Sequence, residues 1–238
     1  MPNNYFQFKQ FTIQQENSSM KVCTDSCLFG AWVAGKLERK IIEPKSILDI
    51  GTGTGLLSLM AAQKCEAKID AIEIDKDSYL QAKENFSKSR WSRRLQIMHA
   101  DAKTQIADKR YDLIICNPPF YENDLRSSDK RKNMAKHHDT LTLEDLIAII
   151  PNSLNETGYF AVLLPFHRVE HFKQLAIRNS FFVTDEVQVK QTSQHDCFRG
   201  FLFFANTKQP FSIQELIIKD SDGKYTSEFN YFLQDYYL

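Results

Sequence analysis

Residues 46–64 constrain the fold of this chain more than any other stretch. Residues 46–50 (SILDI) form an apolar run typical of a buried strand, residues 51–55 (GTGTG) follow as a glycine loop, and residues 56–64 have a helical pattern. Glycines let the backbone turn tightly and approach a ligand, and the next helix points its N-terminal N–H groups at the same place. A strand, a glycine loop and a helix in this order predict a parallel sheet with helices on both faces.

The same alternation of strand and helix continues along the chain. We expect further strands at 69–73, 95–99, 112–116, 159–164, 182–189 and 198–205, and further helices at 75–89, 141–154 and 168–179. The last two strands are predicted to be antiparallel neighbours. The predicted fold class is α/β, with a doubly wound, mostly parallel seven-stranded sheet and an N-terminal extension.

The chain divides into three predicted parts. Residues 1–45 form an arm with short extended stretches and a helix near 25–40, residues 46–208 form the main domain, and residues 209–238 form a tail with a short helix. The tail is too aromatic for a solvated segment, so we expect it to pack back on the domain. Its aromatic residues are Phe211, Tyr225, Phe229, Tyr231, Phe232, Tyr236 and Tyr237.

Composition excludes several classes of protein. Lys and Arg together number 30, as do Asp and Glu, so no net charge draws the protein to nucleic acid and any polyanion must be bound by local basic patches. No apolar run approaches the length of a membrane span, and the N-terminus lacks the pattern of a secretory signal. Five cysteines, an odd number, suggest reduced thiols. We expect a cytoplasmic protein without a membrane partner, and a monomer.

Candidate ligand-binding residues lie at or just after the carboxyl ends of the predicted strands, where doubly wound sheets bind their ligands. The loop spacing is G-x-G-x-G, which differs from the dinucleotide fingerprint. A carboxylate at Asp49 would repel a pyrophosphate but suits a cationic amino group, and Glu73 is placed to accept hydrogen bonds from ribose hydroxyls. Asp101 either accepts from an adenine amino group or caps a helix. The set comprises Asp49, Gly51, Gly53, Gly55, Glu73, Asp101 and Asn117.

Asn117-Pro118-Pro119-Phe120 follows the strand at 112–116. An amide oxygen and backbone carbonyls there could accept the N–H groups of a planar amino compound while Phe120, with Tyr121, stacks on its face. An ordinary strand-ending turn is the alternative, since Asn and Pro are common in turns.

A long polar segment, residues 122–140, follows this turn. Segments of this length inside a compact domain are usually functional or disordered. Its position beside the turn favours a functional role, although a solvated charged surface is the alternative. Its basic side chains are Arg126, Lys130, Arg131, Lys132, Lys136, His137 and His138, and a second basic patch contains Lys88, Arg90, Arg93 and Arg94.

Together, the motifs Asp49–Gly55, Glu73, Asp101 and Asn117–Phe120 resemble the class I S-adenosylmethionine-dependent methyltransferases that methylate amino groups, which have a Rossmann-like fold. The N-terminal block is similar to that of the bacterial tRNA-valine adenine N6-methyltransferases, which modify the adenosine beside the anticodon. That block comprises FQFKQFT at 6–12, MKV at 20–22, TD at 24–25 and GAW at 30–32. The resemblance runs from residue 5 to about 205. Cys23, Ser26 and Cys27 depart from the glycines expected of the family.

The resemblance implies a cofactor, a partner and residue roles. S-adenosyl-L-methionine would bind with its methionine half against Asp49 and the glycine loop, its ribose at Glu73 and its adenine at Asp101, with Thr24 and Lys21 closing the pocket. Asn117, Pro118 and Phe120 would act on the target adenine, without a metal. The substrate would be tRNA, methylated at N6 of the adenosine 3′ of the anticodon in tRNA-valine. The RNA-binding residues would be Tyr121, Arg126, Lys130, Arg131, Lys132 and His137.

Other functions remain open at this point. A glutamine side-chain amide fits the same turn, so a release-factor type N5-glutamine protein methyltransferase is one alternative, and a DNA adenine N6-methyltransferase is another. A nicotinamide-dependent oxidoreductase is disfavoured by the loop spacing and Asp49, and a non-catalytic RNA-binding module would have no need of a complete cofactor cleft. Arg199 would either reach a substrate phosphate or close a hairpin.

Overall fold

A computed structural model describes residues 3–18, 20–105, 109–119 and 141–238. A hairpin of two short strands, β1 (Tyr5–Gln7) and β2 (Thr12–Gln14), precedes helix α1 (Thr24–Glu38). The remaining helices are α2 (Leu56–Lys64), α3 (Lys76–Lys88), α4 (Ala102–Gln105), α5 (Leu143–Ser153), α6 (Phe166–Arg178) and α7 (Ser227–Leu233).

The described strands after α1 form one sheet with eight members. They are β3 (Ser46–Ile50), β4 (Lys68–Glu73), β5 (Leu95–His99), β6 (Tyr111–Cys116), β7 (Leu154–Pro165), β8 (Phe182–Lys190), β9 (Cys197–Ala205) and β10 (Ser212–Ile217). Their order is β10-β8-β9-β7-β6-β3-β4-β5, and every neighbouring pair is parallel except the two pairs that contain β9. The mostly parallel sheet and the antiparallel pairing of β8 with β9 are therefore confirmed.

The predicted number of seven strands is wrong, because the tail contributes β10. This strand pairs in parallel with β8, from Ser212 opposite Asp185 to Ile217 opposite Lys190. It lies at the sheet edge, and four of its six residues are exposed, so it carries no apolar run that a sequence pattern could reveal. Pairing with a neighbouring strand, rather than local pattern, makes this segment a strand.

Both faces of the sheet are buried along its central strands, as their apolar sequences require. Along β9, Phe201 and Phe203 belong to the core beneath α1 and α2, whereas Leu202 and Phe204 belong to the core beneath α5 and α6. Successive side chains of a strand point to opposite faces, so one continuous apolar strand supplies both cores.

The arm and the tail pack together on the face of α1 and α2. Tyr236 is buried; its hydroxyl donates to the Met60 carbonyl at 3.1 Å, and its own carbonyl accepts from the Lys9 amide at 2.8 Å. Phe229 of α7 is also buried in this core. A search of the described part of the chain finds no helix long and apolar enough to cross a membrane.

Candidate active site

The glycine loop lies between β3 and α2 and takes a conformation that favours glycine. Gly51, Gly53 and Gly55 have φ angles of 67°, 57° and 84°. A Cβ added at Gly51 or Gly53 would meet no atom within 4 Å, whereas one at Gly55 would lie 2.5 Å from a ring carbon of Phe86. Gly55 therefore permits close packing of α3, and the two earlier glycines leave space beside the backbone that a ligand can use.

Asp49, in β3, is completely buried and has one unsatisfied oxygen. Its Oδ2 accepts from Thr52 Oγ1 at 2.6 Å, from Ser58 N at 3.1 Å and from Ser58 Oγ at 2.7 Å. Its Oδ1 is buried and has no hydrogen-bond partner. Burial raises the pKa of this carboxyl to about 6, so it is still mainly ionised at neutral pH. A buried carboxylate oxygen without a partner suits a cationic donor.

Glu73, at the end of β4, ties the second strand to the glycine loop. Its Oε2 accepts from the Gly53 amide at 2.8 Å and its Oε1 from the Asp75 amide at 3.0 Å. Burial is the main cause of its raised pKa. Each carboxylate oxygen can accept more than one hydrogen bond, so both oxygens retain capacity for further donors such as hydroxyl groups.

Asp101 follows β5 and acts in the structure as a helix cap. Its Oδ1 accepts from the Lys103 amide at 2.9 Å, at the start of α4, and its Oδ2 lies 3.7 Å from Lys103 Nζ. A role with adenine stays a prediction. Ile74 directly follows Glu73, at the carboxyl end of β4, and is exposed and apolar. Sequence reasoning did not single it out.

The N-terminal arm is attached to the glycine loop through Asn85 of α3. The Asn85 side-chain nitrogen donates to the Thr54 carbonyl at 2.8 Å and to the Gln14 carbonyl at 2.9 Å, while its oxygen accepts from the Gln14 amide. Thr24 begins α1, and Lys21 Nζ donates to the Gln15 carbonyl at 3.2 Å. The arm thus contacts the loop through Gln14, while the closing role that the resemblance implies for Thr24 and Lys21 stays a prediction.

Asn117 directly follows β6 and presents an acceptor without a partner. Its Nδ2 donates to Ser26 Oγ at 2.9 Å, and its Oδ1 is buried with no hydrogen-bond partner. Ser26 Oγ also lies 3.0 Å from the thiol of Cys23, whose pKa burial raises to about 11, so that thiol is protonated at neutral pH. Two buried unsatisfied oxygens, on Asp49 and Asn117, therefore lie at the carboxyl ends of the neighbouring strands β3 and β6.

Sequence reasoning missed the role of Ser26 as the partner of Asn117. The available signal was its departure from the glycine expected at that position. It also missed the ion pair of Arg199 with Asp25, in which Arg199 Nε lies 2.7 Å from Asp25 Oδ2. Arg199 thus has a partner that neither of its two predicted roles included.

Several predicted residues cannot be placed or take another role. Arg94, assigned to the second basic patch, donates to the carbonyls of Ala67 and Ala62, so it holds the protein's own backbone. Among the described residues, no group of three His, Cys, Asp or Glu side chains is arranged to hold a metal ion. Phe120, Tyr121, Arg126, Lys130, Arg131, Lys132 and His137 lie outside the described residues.

Comparison with known proteins identifies the family. The model of the methyltransferase small domain matches residues 32–184. A protein of Cytophaga hutchinsonii named tRNA1(Val) (adenine(37)-N6)-methyltransferase is 38% identical over 242 residues, covering 100% of this chain and 99% of the relative. A protein of Trichodesmium erythraeum with the same name is also 38% identical, over 243 residues, with the same coverage. The chain belongs to the family of the tRNA1(Val) (adenine(37)-N6)-methyltransferases.

Membership of this family extends over the arm and the tail as well as the sheet, since the alignments cover the whole chain. The fold is also that of a solved structure from Agrobacterium tumefaciens, described as a predicted O-methyltransferase. That structure is 15% identical, has a TM-score of 0.69 and covers 89% of this chain and 96% of its own. The Rossmann-like methyltransferase fold is thereby confirmed, with one strand more than predicted.

Proposed function

We propose that this protein transfers a methyl group from S-adenosyl-L-methionine to N6 of an adenosine in tRNA, the one 3′ of the anticodon in tRNA-valine. The observation that carries the proposal is the buried, unpartnered Asn117 Oδ1 directly after β6, one strand from the unpartnered Asp49 Oδ1. The names of the full-length relatives support this substrate. Because the substrate is a tRNA, the proposed place of action is the cytosol.

The residues at the carboxyl ends of β3 and β4 fit the cofactor. Asp49 Oδ1 would accept from its amino group, the open side of Gly51 and Gly53 would lie against it, and Glu73 would accept from its ribose hydroxyls. Asp101 would contact the adenine, and Thr24 would close the pocket on the side of the arm. When bound, the cofactor supplies an electrophilic methyl group.

Asn117 and Pro118 would prepare the acceptor amine. The N6 lone pair of adenine is delocalised into the ring, which makes the amine a poor nucleophile. Acceptance of its two N–H groups by Asn117 Oδ1 and the Pro118 carbonyl would let the nitrogen pyramidalise and direct its lone pair at the methyl group. Positioning and electrostatics then supply most of the acceleration, and the amine proton leaves to water.

The residues after the turn would hold the RNA. Phe120, with Tyr121, would stack on the target base, and Arg126, Lys130, Arg131, Lys132 and His137 would contact the RNA backbone. An adenosine in an anticodon loop is partly unpaired, so moving it out of its stack costs less than extruding a base from a duplex.

One parallel assay tests the proposal. The protein is incubated with labelled S-adenosylmethionine and, separately, with unmodified tRNA-valine, total tRNA, duplex DNA and release factors. We expect label in tRNA-valine, at N6 of the adenosine 3′ of the anticodon. Label confined to release factors would show that the protein methylates glutamine instead, and label confined to DNA would show that it is a DNA methyltransferase.

A further inference from the structure

A second cleft opens at the carboxyl ends of the parallel strands, the same end of the sheet that carries Asn117. Its volume is about 330 Å³, within the range of small-ligand clefts, roughly 300–1,000 Å³. Its walls come from the start of α1, from the residues after β8 and β10, from the start of β9 and from the tail. The lining residues are Thr24, Asp25, Gln191, Phe198, Ile218, Lys219 and Tyr225.

Strand register places this cleft beside the proposed acceptor site. Arg199 of β9 pairs with Pro165 at the carboxyl end of β7, and Cys197 pairs with Lys190 at the carboxyl end of β8. β7 lies between β6, which Asn117 follows, and β9. Neighbouring strands are about 4.8 Å apart, so the cleft begins on the order of 10 Å from the end of β6, on the side away from Asp49 and Glu73.

The walls of the cleft carry the groups that bind a nucleotide. Tyr225 is 48% exposed as a residue, and its ring stacks on the Phe229 ring with centroids 4.1 Å apart and an interplanar angle of 6°, which fixes the orientation of the Tyr225 ring. Lys219 Nζ lies over the same ring, 5.6 Å from its centre. A base can stack on such an aromatic ring when the flexible lysine side chain swings aside so that its ammonium binds the phosphate, and the Gln191 amide can read a base edge.

The cleft is also connected to Asn117 by hydrogen bonds. Asp25 Oδ2 accepts from Arg199 Nε, so the charge of this carboxylate is compensated. Asp25 Oδ1 accepts from the Ser26 amide at 3.0 Å, and Ser26 Oγ accepts from Asn117. A ligand against Asp25 therefore touches the residue next to the one that holds the acceptor amide.

We propose that this cleft binds a second unpaired nucleotide of the substrate RNA, close to the target adenosine in the same loop, with its base on Tyr225 and its phosphate at Lys219. The inference rests on the proposed function. It assigns to the tail, through Tyr225, the reading of RNA beyond the methylated base.

The test compares variants of the cleft on an anticodon-hairpin RNA. Tyr225→Ala should raise the RNA KM roughly tenfold or more through loss of stacking, with the KM for S-adenosylmethionine unchanged. Lys219→Ala should reduce the salt slope of RNA binding by about one. Tyr225→Phe, which keeps the ring, should behave like the native protein. Tyr231→Ala and Lys224→Ala, at exposed positions outside the lining, are the matched controls.

A set of hairpins with an abasic site at each loop position in turn identifies the nucleotide. An abasic site at the position of the bound nucleotide should weaken RNA binding by the native protein. It should have little further effect on RNA binding by Tyr225→Ala, because both changes remove the same contact. If the RNA KM and the salt slope of Tyr225→Ala and Lys219→Ala equal those of their controls while the native protein methylates the RNA, the cleft inference is overturned and the proposed function stands. If the native protein methylates no RNA, the proposed function fails. Fluorescence anisotropy of the unmethylated hairpin then decides the inference alone, since equal affinities of native protein and variants would overturn it.

Discussion

The side chains of Ser26 and Asn117 meet across 91 positions of sequence, with Asn117 Nδ2 donating to Ser26 Oγ at 2.9 Å. A side-chain amide has one accepting and one donating end, and occupation of the donating end turns the accepting end away from α1. That end, Oδ1, is buried and has no partner. The helix of the N-terminal arm thus sets which face of the Asn117 amide is presented at the edge of the sheet.

Replacement of Ser26 by Ala should lower kcat by roughly three- to tenfold, the value of one hydrogen bond of about 1 kcal/mol. Without this acceptor the amide can rotate and present Nδ2, which cannot accept the N–H of a substrate. Steady-state kinetics would show the fall in kcat with an unchanged KM for S-adenosylmethionine. Ser87→Ala removes a hydroxyl from an exposed position of α3 and is the matched control. An unchanged kcat in Ser26→Ala would contradict the positioning role.

Asn117→Ala should abolish most methyl transfer, by roughly a hundredfold or more, since loss of one group that stabilises the transition state commonly has this effect. S-adenosylmethionine binding should persist, because the residues proposed to hold it belong to other strands and to the loops after them. Isothermal titration calorimetry measures the binding and a labelling assay measures the transfer. Undiminished turnover would remove Asn117 from the mechanism.

The affinity for S-adenosylmethionine should fall as the pH falls below about 6. Burial raises the pKa of Asp49 to about 6, and protonation at lower pH removes the charge that would attract a cationic amino group. Titrations between pH 5 and 8 should show a bend near pH 6 in the native protein. Asp49→Asn should bind weakly at every pH in this range without the bend. A bend of the same size in the variant would assign it to another group.

The same group has the opposite effect on stability. Because the folded pKa of Asp49 lies above the ordinary value of 3.8, its contribution to the free energy of unfolding is complete below about pH 4 and is lost as the pH rises through 6. The loss amounts to about 3 kcal/mol by pH 7. Urea unfolding without cofactor should therefore show that the free energy of unfolding of the native protein falls between pH 4 and 7 relative to that of Asp49→Asn. A pH-independent difference would contradict this.

Gly53→Ala and Gly55→Ala should separate ligand contact from packing. Both residues have positive φ, which costs an L-residue about 1–2 kcal/mol. A Cβ at position 55 would also lie 2.5 Å from the Phe86 ring, so Gly55→Ala should lower the Tm more. A Cβ at position 53 points into open space, so Gly53→Ala should mainly weaken S-adenosylmethionine binding. Equal losses of Tm with unchanged affinity in both variants would contradict this assignment.

Charge reversal of Lys130, Arg131 and Lys132 to Glu should raise the RNA KM and flatten its salt dependence, because these residues are predicted to neutralise phosphates. The KM for S-adenosylmethionine should not change. Reversal of Lys224, an exposed lysine of the tail, is the charge control. If RNA affinity stays the same after the triple change, this segment does not bind the RNA backbone and is an ordinary solvated surface.

The parallel sheet, and the end of it where the site lies, could be predicted from the amino-acid sequence alone. The strand at 46–50 is apolar and mostly buried, whereas only Leu95 is buried in the strand at 95–99, and both strands have the bounds that the sequence predicted. Glycines at positions 51, 53 and 55 are a local signal, because the backbone there has positive φ. Parallel strands bring their carboxyl ends to one edge, so Asp49, Glu73 and Asn117 could be assigned to it before any contact was known.

Contacts between residues far apart in sequence could not be predicted in this way, because they depend on how the chain folds in three dimensions. β10 is a strand because β8 offers it a partner, and its mostly exposed side chains give no local indication of this. Arg94 looks like a surface charge until the carbonyls of Ala62 and Ala67 are brought to it. The orientation of the Asn117 amide likewise depends on a hydroxyl in α1, and a hydrogen bond that joins two distant segments leaves no periodic pattern in either of them.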